Sequence, residues 1–169
     1  NRYSYVMNNP LFYVDPTGEL WVASGDATNP YSWVDTCGEG QTCHQSIAAV
    51  AGQNVRIYGS RDQYDMMDLG QNEHGRVSLG TIADGTYGFT FQAGVTATYA
   101  TPGNAVAILN TALQFKAGGG PTLSFNDFGN AEGTQFRPHQ EHHGVWSAID
   151  LAYPTESGST NDINRASVA

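Results

Sequence analysis

The sequence is poor in basic residues, in charge overall and in long apolar runs. Seven Lys and Arg residues stand against 16 Asp and Glu, the formal net charge is -9, and no basic cluster occurs. The chain has few Lys and Arg side chains to neutralise the phosphates of a nucleic acid, so the charge disfavours a nucleic acid partner. No apolar run approaches the roughly 18 residues that a membrane-spanning helix needs. The first residues resemble no signal peptide, and we expect the chain to be a piece of a longer protein.

Cysteine is also scarce. Cys37 and Cys43, in C-G-E-G-Q-T-C, are the only two, which is too few for a four-thiolate zinc site and the wrong spacing for a thioredoxin-like pair. We favour a local disulfide over two free thiols, and such a bond forms in an oxidising compartment. Cys43 and His44 are disfavoured as a nucleophile and its base, because adjacent side chains of an extended chain point to opposite sides.

The remaining composition favours short strands and turns. Of the 169 residues, 40% are hydrophobic, 14% are charged and 20 are glycines. This length suffices for the core of one ordinary domain. We therefore expect Gly-rich loops and short strands rather than a helical bundle.

Hydrophobic periodicity predicts three elements in the second half of the chain. Residues 87–99 alternate bulky with small or polar side chains, which predicts a strand or a hairpin through Gly94. Residues 104–115 place apolar side chains at helical spacing after an Asn cap, and G-G-G-P ends the helix. A buried strand is predicted over residues 122–125.

The first segment, N-R-Y-S-Y-V-M-N-N-P-L-F-Y-V-D-P-T-G, alternates aromatic and β-branched residues and ends in a turn signature. It resembles the end of the Rhs/YD-repeat core of bacterial polymorphic toxins, where N-N-P-L and D-P-x-G close the shell around the toxin. The resemblance implies self-cleavage after this motif, with Asp15 in the cleavage region and the cut near Leu20-Trp21. Residues 1–20 are then the end of the Rhs core. The shell of the same polypeptide and a cognate immunity protein are the implied partners.

Residues 21–80 combine Gly, Asn and Asp with short apolar runs. They predict a short helix over residues 45–51 and a strand over residues 54–58. The pieces C-G-E-G-Q-T-C-H, I-Y-G-S and N-E-H-G-R-V look like a stretch that joins an Rhs core to its toxin. We therefore interpret residues 21–80 as a linker or packing region and residues 81–169 as the first part of the toxin domain.

Three of the five histidines lie together in R-P-H-Q-E-H-H-G-V-W-S-A-I-D-L. His139, His142, His143 and Asp150 are ligands of the kinds that zinc takes, imidazole nitrogen and carboxylate oxygen. An aspartate seven residues after His143 fits a loop that leads into a buried strand, and one metal could be held between the two.

Other interpretations of this segment remain open. Asp150 lies between Ile149 and Leu151, where an unpaired buried charge would be costly, and this favours a metal ligand. A His-rich surface loop is nevertheless common, and Asp150 could instead cap a turn or pair with Arg165.

L-S-F-N-D-F-G, P-H-Q-E-H-H-G and S-A-I-D-L resemble the motifs of the zinc-dependent murein endopeptidase and D-Ala-D-Ala peptidase superfamily. The resemblance implies that Asp150 is a zinc ligand. Counting seven residues back selects His143 as the second ligand, whereas P-H-x-x-H selects His142; we favour His143 because its distance to the Asp constrains the metal geometry more. His139 and Asp127 would then support the ligands or face the substrate.

The resemblance also implies a third histidine ligand and a catalytic histidine in a later H-x-H motif. Nothing after Asp150 supplies them, and a catalytic zinc needs three protein ligands. We expect the catalytic domain to continue past Ala169. The alternatives are an incomplete site, or completion by His44 or His74.

Taken together, the motifs imply an α+β fold with a small antiparallel sheet and few helices. They imply a secreted toxin, delivered to the periplasm of a rival bacterium, that hydrolyses peptide bonds of peptidoglycan with zinc. Two alternatives belong to other classes: a metal-dependent nuclease-type toxin, and a non-enzymatic packing or immunity-binding segment. The acidic charge disfavours the first, and the missing third ligand favours the second.

Overall fold

The computed structural model describes residues 20–59 and 66–134, together with the backbone of residues 151 and 152. Within these residues the chain is α+β, as the sequence predicts, and no helix is long and apolar enough to cross a membrane. The elements are β1 (Leu20–Ala23), β2 (Tyr31–Val34), β3 (Cys43–His44), β4 (Ile47–Ala51), β5 (Asn54–Tyr58), β6 (Met66–Leu69), β7 (Val77–Ser78), β8 (Phe89–Phe91), β9 (Tyr99–Ala100), α1 (Pro102–Ala117), β10 (Leu123–Phe125) and β11 (Leu151–Ala152).

A three-stranded antiparallel sheet, in the order β4-β5-β6, lies between two other layers. Its central strand β5 confirms the strand predicted over residues 54–58. Val55 and Ile57 are fully buried in the main core on the face that α1 covers. Tyr58, on the opposite face, packs with aromatic residues of β1 and β2. Because successive side chains of a strand point to opposite faces, β5 contributes buried residues to both faces of the sheet.

The second layer is the antiparallel sheet β2-β1-β3, in which Trp21 pairs with Trp33 on one side and with His44 on the other. Edge-to-face aromatic contacts join it to the central sheet, with the Trp21 ring centroid 4.9 Å from that of Trp33 and 4.8 Å from that of Tyr58. Gly59 has φ +68°, and a Cβ there would come within 2.5 Å of Nε1 of Trp21. A side chain at this position would push the two sheets apart.

The helix α1 covers the other face of the central sheet. Its buried residues recur at helical spacing and enter the main core: Ala105, Ile108, Leu109, Ala112 and Leu113. The helix confirms the prediction over residues 104–115 but starts at Pro102, which the first turn tolerates because its missing N–H needs no partner there. The predicted Asn cap is wrong, since Thr101 is the N-cap residue and Asn104 lies inside the helix. The glycines predicted to end the helix follow directly after it.

The strands around α1 complete the main core. β8 pairs in parallel with β10, β10 pairs antiparallel with β11, and β7 pairs antiparallel with β9. The predicted strand over residues 122–125 is confirmed as β10. The predicted hairpin through Gly94 is wrong, because β8 and β9 belong to different sheets. Parallel strands need a crossover, and the segment that contains α1 supplies it between β8 and β10.

The helix predicted over residues 45–51 is also wrong, since residues 47–51 form the strand β4. Short apolar runs fit a strand or a helix equally well by periodicity. Here the tertiary environment decides, because Ala48 enters the main core while Ile47 enters the aromatic cluster on the opposite side. Burial of two adjacent residues on opposite sides favours an extended chain.

The main core is continuous across residue 80, where we placed the boundary between packing region and toxin. It joins residues from before that position, such as Val55 and Leu79, with residues from after it, such as Phe89 and Leu109. Within the described residues, therefore, the segment from 47 to 79 folds together with the segment that follows it.

Candidate functional site

The residues that the sequence singles out for zinc lie mostly outside the described residues. His139, His142, His143 and Asp150 all fall there, and so does Asp15 of the proposed cleavage region. Asp127 is the one member of that proposed site whose side chain is described, and it is half-buried.

The strands next to these positions are described. Phe125, at the end of β10, pairs with Leu151 of β11, and Ser124 pairs with Ala152. Asp127 follows Phe125 by two residues, and Leu151 directly follows Asp150 in the sequence. The pairing thus joins the end of the L-S-F-N-D motif to the strand that begins after the I-D motif.

The turn after β10 is held in place by aromatic packing and backbone hydrogen bonds. Phe125 and Phe128 are almost fully buried, with ring centroids 5.2 Å apart. The Phe128 N–H donates to the carbonyl of Ala97 at 2.7 Å, and the carbonyl of Gly129 accepts from the N–H of Tyr99 at 2.9 Å. Asp127 is therefore carried on a turn that is anchored on both sides of it.

The two histidines that could complete a metal site lie in different surroundings. His44, in β3, is half-buried and contacts the Tyr31 ring edge-to-face at 5.9 Å. His74 is exposed, and its Nε2 is 3.5 Å from Oε1 of Glu73. In the parts of the chain that the structure describes, no three His, Cys, Asp or Glu side chains lie close enough to hold a metal.

The proposed cut near Leu20-Trp21 falls inside β1. Both residues are 4% exposed, and Leu20 pairs with Val34 while Trp21 pairs with Trp33. A protease needs an extended and accessible backbone at the bond it cuts. The bond would therefore have to be cut before β1 pairs, or with the sheet opened.

Cys37 and Cys43 form a disulfide, the pairing that the sequence favours, with 6.0 Å between their Cα atoms. Cys43 lies in β3 and pairs with Val22 of β1, whereas Cys37 is exposed. The bond closes the loop between β2 and β3 and ties β3 to it.

A cleft of about 440 Å³ lies beside β3. Its walls come from β3 and the residues after it, from the turn before β8 and from the last turns of α1. The described lining residues are Cys43, His44, Gln45, Ser46, Thr86, Tyr87, Leu113, Gln114, Lys116 and Ala117. Sequence reasoning did not identify this cleft, because its walls are far apart along the chain.

Arg56 connects the central sheet to the loop between β1 and β2. Its guanidinium contacts both carboxylate oxygens of Asp68, at 2.5 and 2.9 Å, and donates to Oδ1 of Asn29 at 2.7 Å. The hydrogen bonds between the two side chains, helped by their opposite charges, raise the pKa of Arg56 and lower the pKa of Asp68 below its usual value. All of these groups are bound to one another, so we assign the cluster to stability rather than to chemistry.

No protein-family model, curated protein or solved structure matches this chain. The likeness to Rhs toxins and to murein peptidases therefore rests on the sequence motifs.

Proposed function

We propose that this chain belongs to an Rhs-type antibacterial toxin whose C-terminal region hydrolyses peptide bonds of peptidoglycan with zinc. Zinc would be held by Asp150 and by His143 or His142, with His139 and Asp127 beside them. This donor set of carboxylate and imidazole groups fits zinc. When bound, zinc polarises a carbonyl and activates water.

The pairing of β10 with β11 is the observation that carries the proposal. The resemblance expects the N-D strand and the strand of the Asp ligand to lie in one sheet. Ser124 and Phe125 of β10 pair with Ala152 and Leu151 of β11, immediately after Asp150 in the sequence. Two motifs that are more than twenty residues apart in the sequence are thereby connected by backbone hydrogen bonds.

The disulfide and the charge support the proposed place of action. A disulfide between Cys37 and Cys43 forms and persists in an oxidising compartment such as the bacterial periplasm. The net charge of -9 disfavours a nucleic acid substrate. Both features fit an enzyme that acts on the cell wall better than one that acts on nucleic acid.

The experiment is digestion of purified sacculi by the full-length toxin and by variants at Asp150. We expect Asp150→Asn and Asp150→Ala both to abolish release of peptide fragments, because neither side chain carries the charge that holds zinc. Thermal melting separates loss of activity from loss of folding. Asp127→Asn is the matched comparison, with a smaller expected loss because Asp127 is not proposed as a ligand.

Other outcomes would redirect the assignment. Full activity in Asp150→Asn, with Asp150→Ala unfolded, would make Asp150 a structural hydrogen-bonding residue. Degradation of DNA or RNA rather than sacculi would select the nuclease alternative. Absence of any hydrolysis, together with binding of the immunity protein, would select the non-enzymatic alternative.

A further inference from the structure

The cleft beside β3 has the dimensions of a small-molecule site. Its volume of about 440 Å³ lies within the range of roughly 300 to 1,000 Å³ that is typical of such sites. The buried side chains of Tyr87 and Leu113, 4% and 8% exposed, contribute an apolar surface. Polar groups of β3 and of α1 line the remaining walls. An occupant with an apolar body and a polar head would match this division.

One wall carries the only lysine in the sequence. Lys116 is held by two backbone carbonyls, because its Nζ donates to Thr86 at 2.7 Å and to Gly85 at 3.3 Å. An ammonium group has three N–H donors, so two bonds to carbonyls leave one for a ligand. These bonds also fix the position of the charge at the wall.

His44, which is half-buried in β3, also lines the cleft. Its position is fixed by pairing with Trp21, by the ring of Tyr31 and by the disulfide of the neighbouring Cys43. An imidazole supplies an N–H donor in its neutral form and two in its charged form. Together with Lys116, His44 gives the lining two N–H donor groups, and a carboxylate has two oxygens that can accept hydrogen bonds.

The charge of the lining favours an anion. None of the described lining residues is Asp or Glu, although the chain has 16 acidic and only seven basic residues. The carboxylate of the nearby Asp84 accepts a hydrogen bond from the backbone N–H of Thr86 at 2.8 Å. In this acidic chain, the cleft thus offers cationic and N–H donor groups without a lining carboxylate to repel an anion.

We propose that the cleft binds a small carboxylate with an apolar body, with Lys116 and His44 holding the carboxylate and Tyr87 and Leu113 contacting the apolar part. Such a group is present in free acylated amino acids and at the C-terminus of short apolar peptides. The proposal is independent of zinc and of the peptidase assignment.

The test uses N-acetyl-leucine as the probe and N-acetyl-leucine amide as its neutral control, with the intact disulfide-bonded chain. Because Lys116 is the only lysine, labelling with ¹⁵N-lysine gives one lysine backbone signal that needs no further assignment. We expect the acid to shift this signal saturably, with a dissociation constant on the order of 1 mM or below. The amide should bind at least about tenfold more weakly, a difference of about 1.4 kcal/mol.

Variants then assign the contacts by calorimetry. Lys116→Gln and His44→Gln should each weaken binding about tenfold, whereas Lys116→Arg should largely retain it because the charge remains. His74→Gln is the matched control, an exposed histidine that does not line the cleft. Melting curves show whether each variant is folded, and Lys116→Arg keeps the test decisive if Lys116→Gln unfolds.

Two further arms define the occupant. The tripeptide Gly-Gly-Leu, compared with its C-terminal amide, tests whether the cleft binds the C-terminus of a peptide. Tighter binding of the tripeptide than of N-acetyl-leucine would identify a peptide as the source of the carboxylate. Tighter binding of N-acetyl-leucine would identify a free acid. Equal binding of acids and amides, or no saturable shift of the Lys116 signal by any probe, would overturn the proposal.

Discussion

The side chain of Asn110 on α1 exchanges two hydrogen bonds with the backbone of Ala48 on β4. Oδ1 of Asn110 accepts from the Ala48 N–H at 2.7 Å, and Nδ2 donates to the Ala48 carbonyl at 2.9 Å. Among the residues that the structure describes, β4 is an edge strand of its sheet, and no described strand pairs with its outward backbone groups. The amide of Asn110 takes the place of that strand and fixes the helix to the sheet.

We therefore predict that Asn110→Ala lowers the free energy of unfolding by about 1 to 3 kcal/mol, since two half-buried backbone groups lose their partners. Asn110→Asp should be intermediate or equally damaging, because a carboxylate can accept from the N–H but cannot donate to the carbonyl. Urea unfolding measures both. Thr111→Ala is the neighbouring control, since its hydroxyl donates to the Ala107 carbonyl within the helix. Equal small losses in all three variants would contradict the edge-covering role.

A second prediction concerns the close approach of the turn before β8 to α1. Gly88 has φ +85°, and a Cβ there would come within 2.5 Å of the Ala112 carbonyl oxygen. Gly94 has nearly the same φ, +86°, but has nothing within 4 Å of its Cβ position. Gly94→Ala should cost about 1 kcal/mol from the backbone conformation alone. Gly88→Ala should cost about 1 to 3 kcal/mol more, because helix and turn must move apart.

The comparison of these two glycine variants by chemical unfolding isolates the steric contribution, since the backbone contribution is shared. Similar stability of the two variants would show that α1 can shift away from the turn at little cost.

Local sequence patterns predicted the elements whose signals are local. The short apolar run in residues 54–58 and the apolar spacing in residues 104–115 matched β5 and α1. For α1, burial on one face of the helix imposes the observed period. The run over residues 45–51 misled because the adjacent residues Ile47 and Ala48 are buried on opposite faces of β4. Burial on two faces removes the period that separates a strand from a helix.

Contacts between distant segments could not be predicted in this way. The alternation in residues 87–99 correctly indicated extended chain around β8, but the partner of β8 is β10, beyond α1. The partner of Asn110 is 62 residues away along the chain, and only the polar side chain within an apolar helix hinted at it. The disulfide was predictable because only two cysteines exist.

The proposed zinc site shows the same division. The sequence grouped His139, His142, His143 and Asp150, which lie outside the described residues, by their spacing alone. The cleft had no such spacing signal, because His44 and Lys116 lie 72 positions apart in the sequence (116 minus 44). Residue type and spacing detect a site on one segment, whereas a site between segments requires the fold.

A third prediction follows from the pair of Arg56 and Asp68. The pKa of Asp68 is lowered chiefly by its hydrogen bonds to Arg56, so the folded state binds the proton less tightly than the unfolded state. The pair therefore stabilises the fold at pH values above the unfolded carboxyl pKa of about 3.9. That stabilisation is lost as the pH falls through the lowered pKa of the folded state.

Asp68→Asn should accordingly lower the free energy of unfolding at pH 7 by about 0.5 to 1 kcal/mol, a modest value because the Asp68 side chain is 40% exposed and solvent screens the pair. The difference from the unchanged protein should shrink towards zero as the pH falls through the lowered pKa of Asp68 in the folded state, below which Asp68 is protonated in both states. Urea unfolding across pH 2 to 7 measures it. Glu39→Gln, an exposed position, controls for the change in net charge. A deficit in Asp68→Asn that persists undiminished at the lowest pH would assign the effect to shape rather than charge.

The last prediction concerns zinc affinity, and it rests on the proposed ligands. If a third histidine ligand lies beyond Ala169, as the peptidase resemblance implies, residues 1 to 169 should bind zinc weakly, because a catalytic site needs three protein ligands. Affinity should fall further as the pH drops, since protons compete for the imidazole nitrogens. Calorimetry should show tighter binding by a chain extended past Ala169, because the extension would add the missing ligand. Nanomolar binding by residues 1 to 169 would instead mean that the three ligands are already present. In that case His44→Gln and His74→Gln identify the third ligand, because only the variant that removes it should weaken binding.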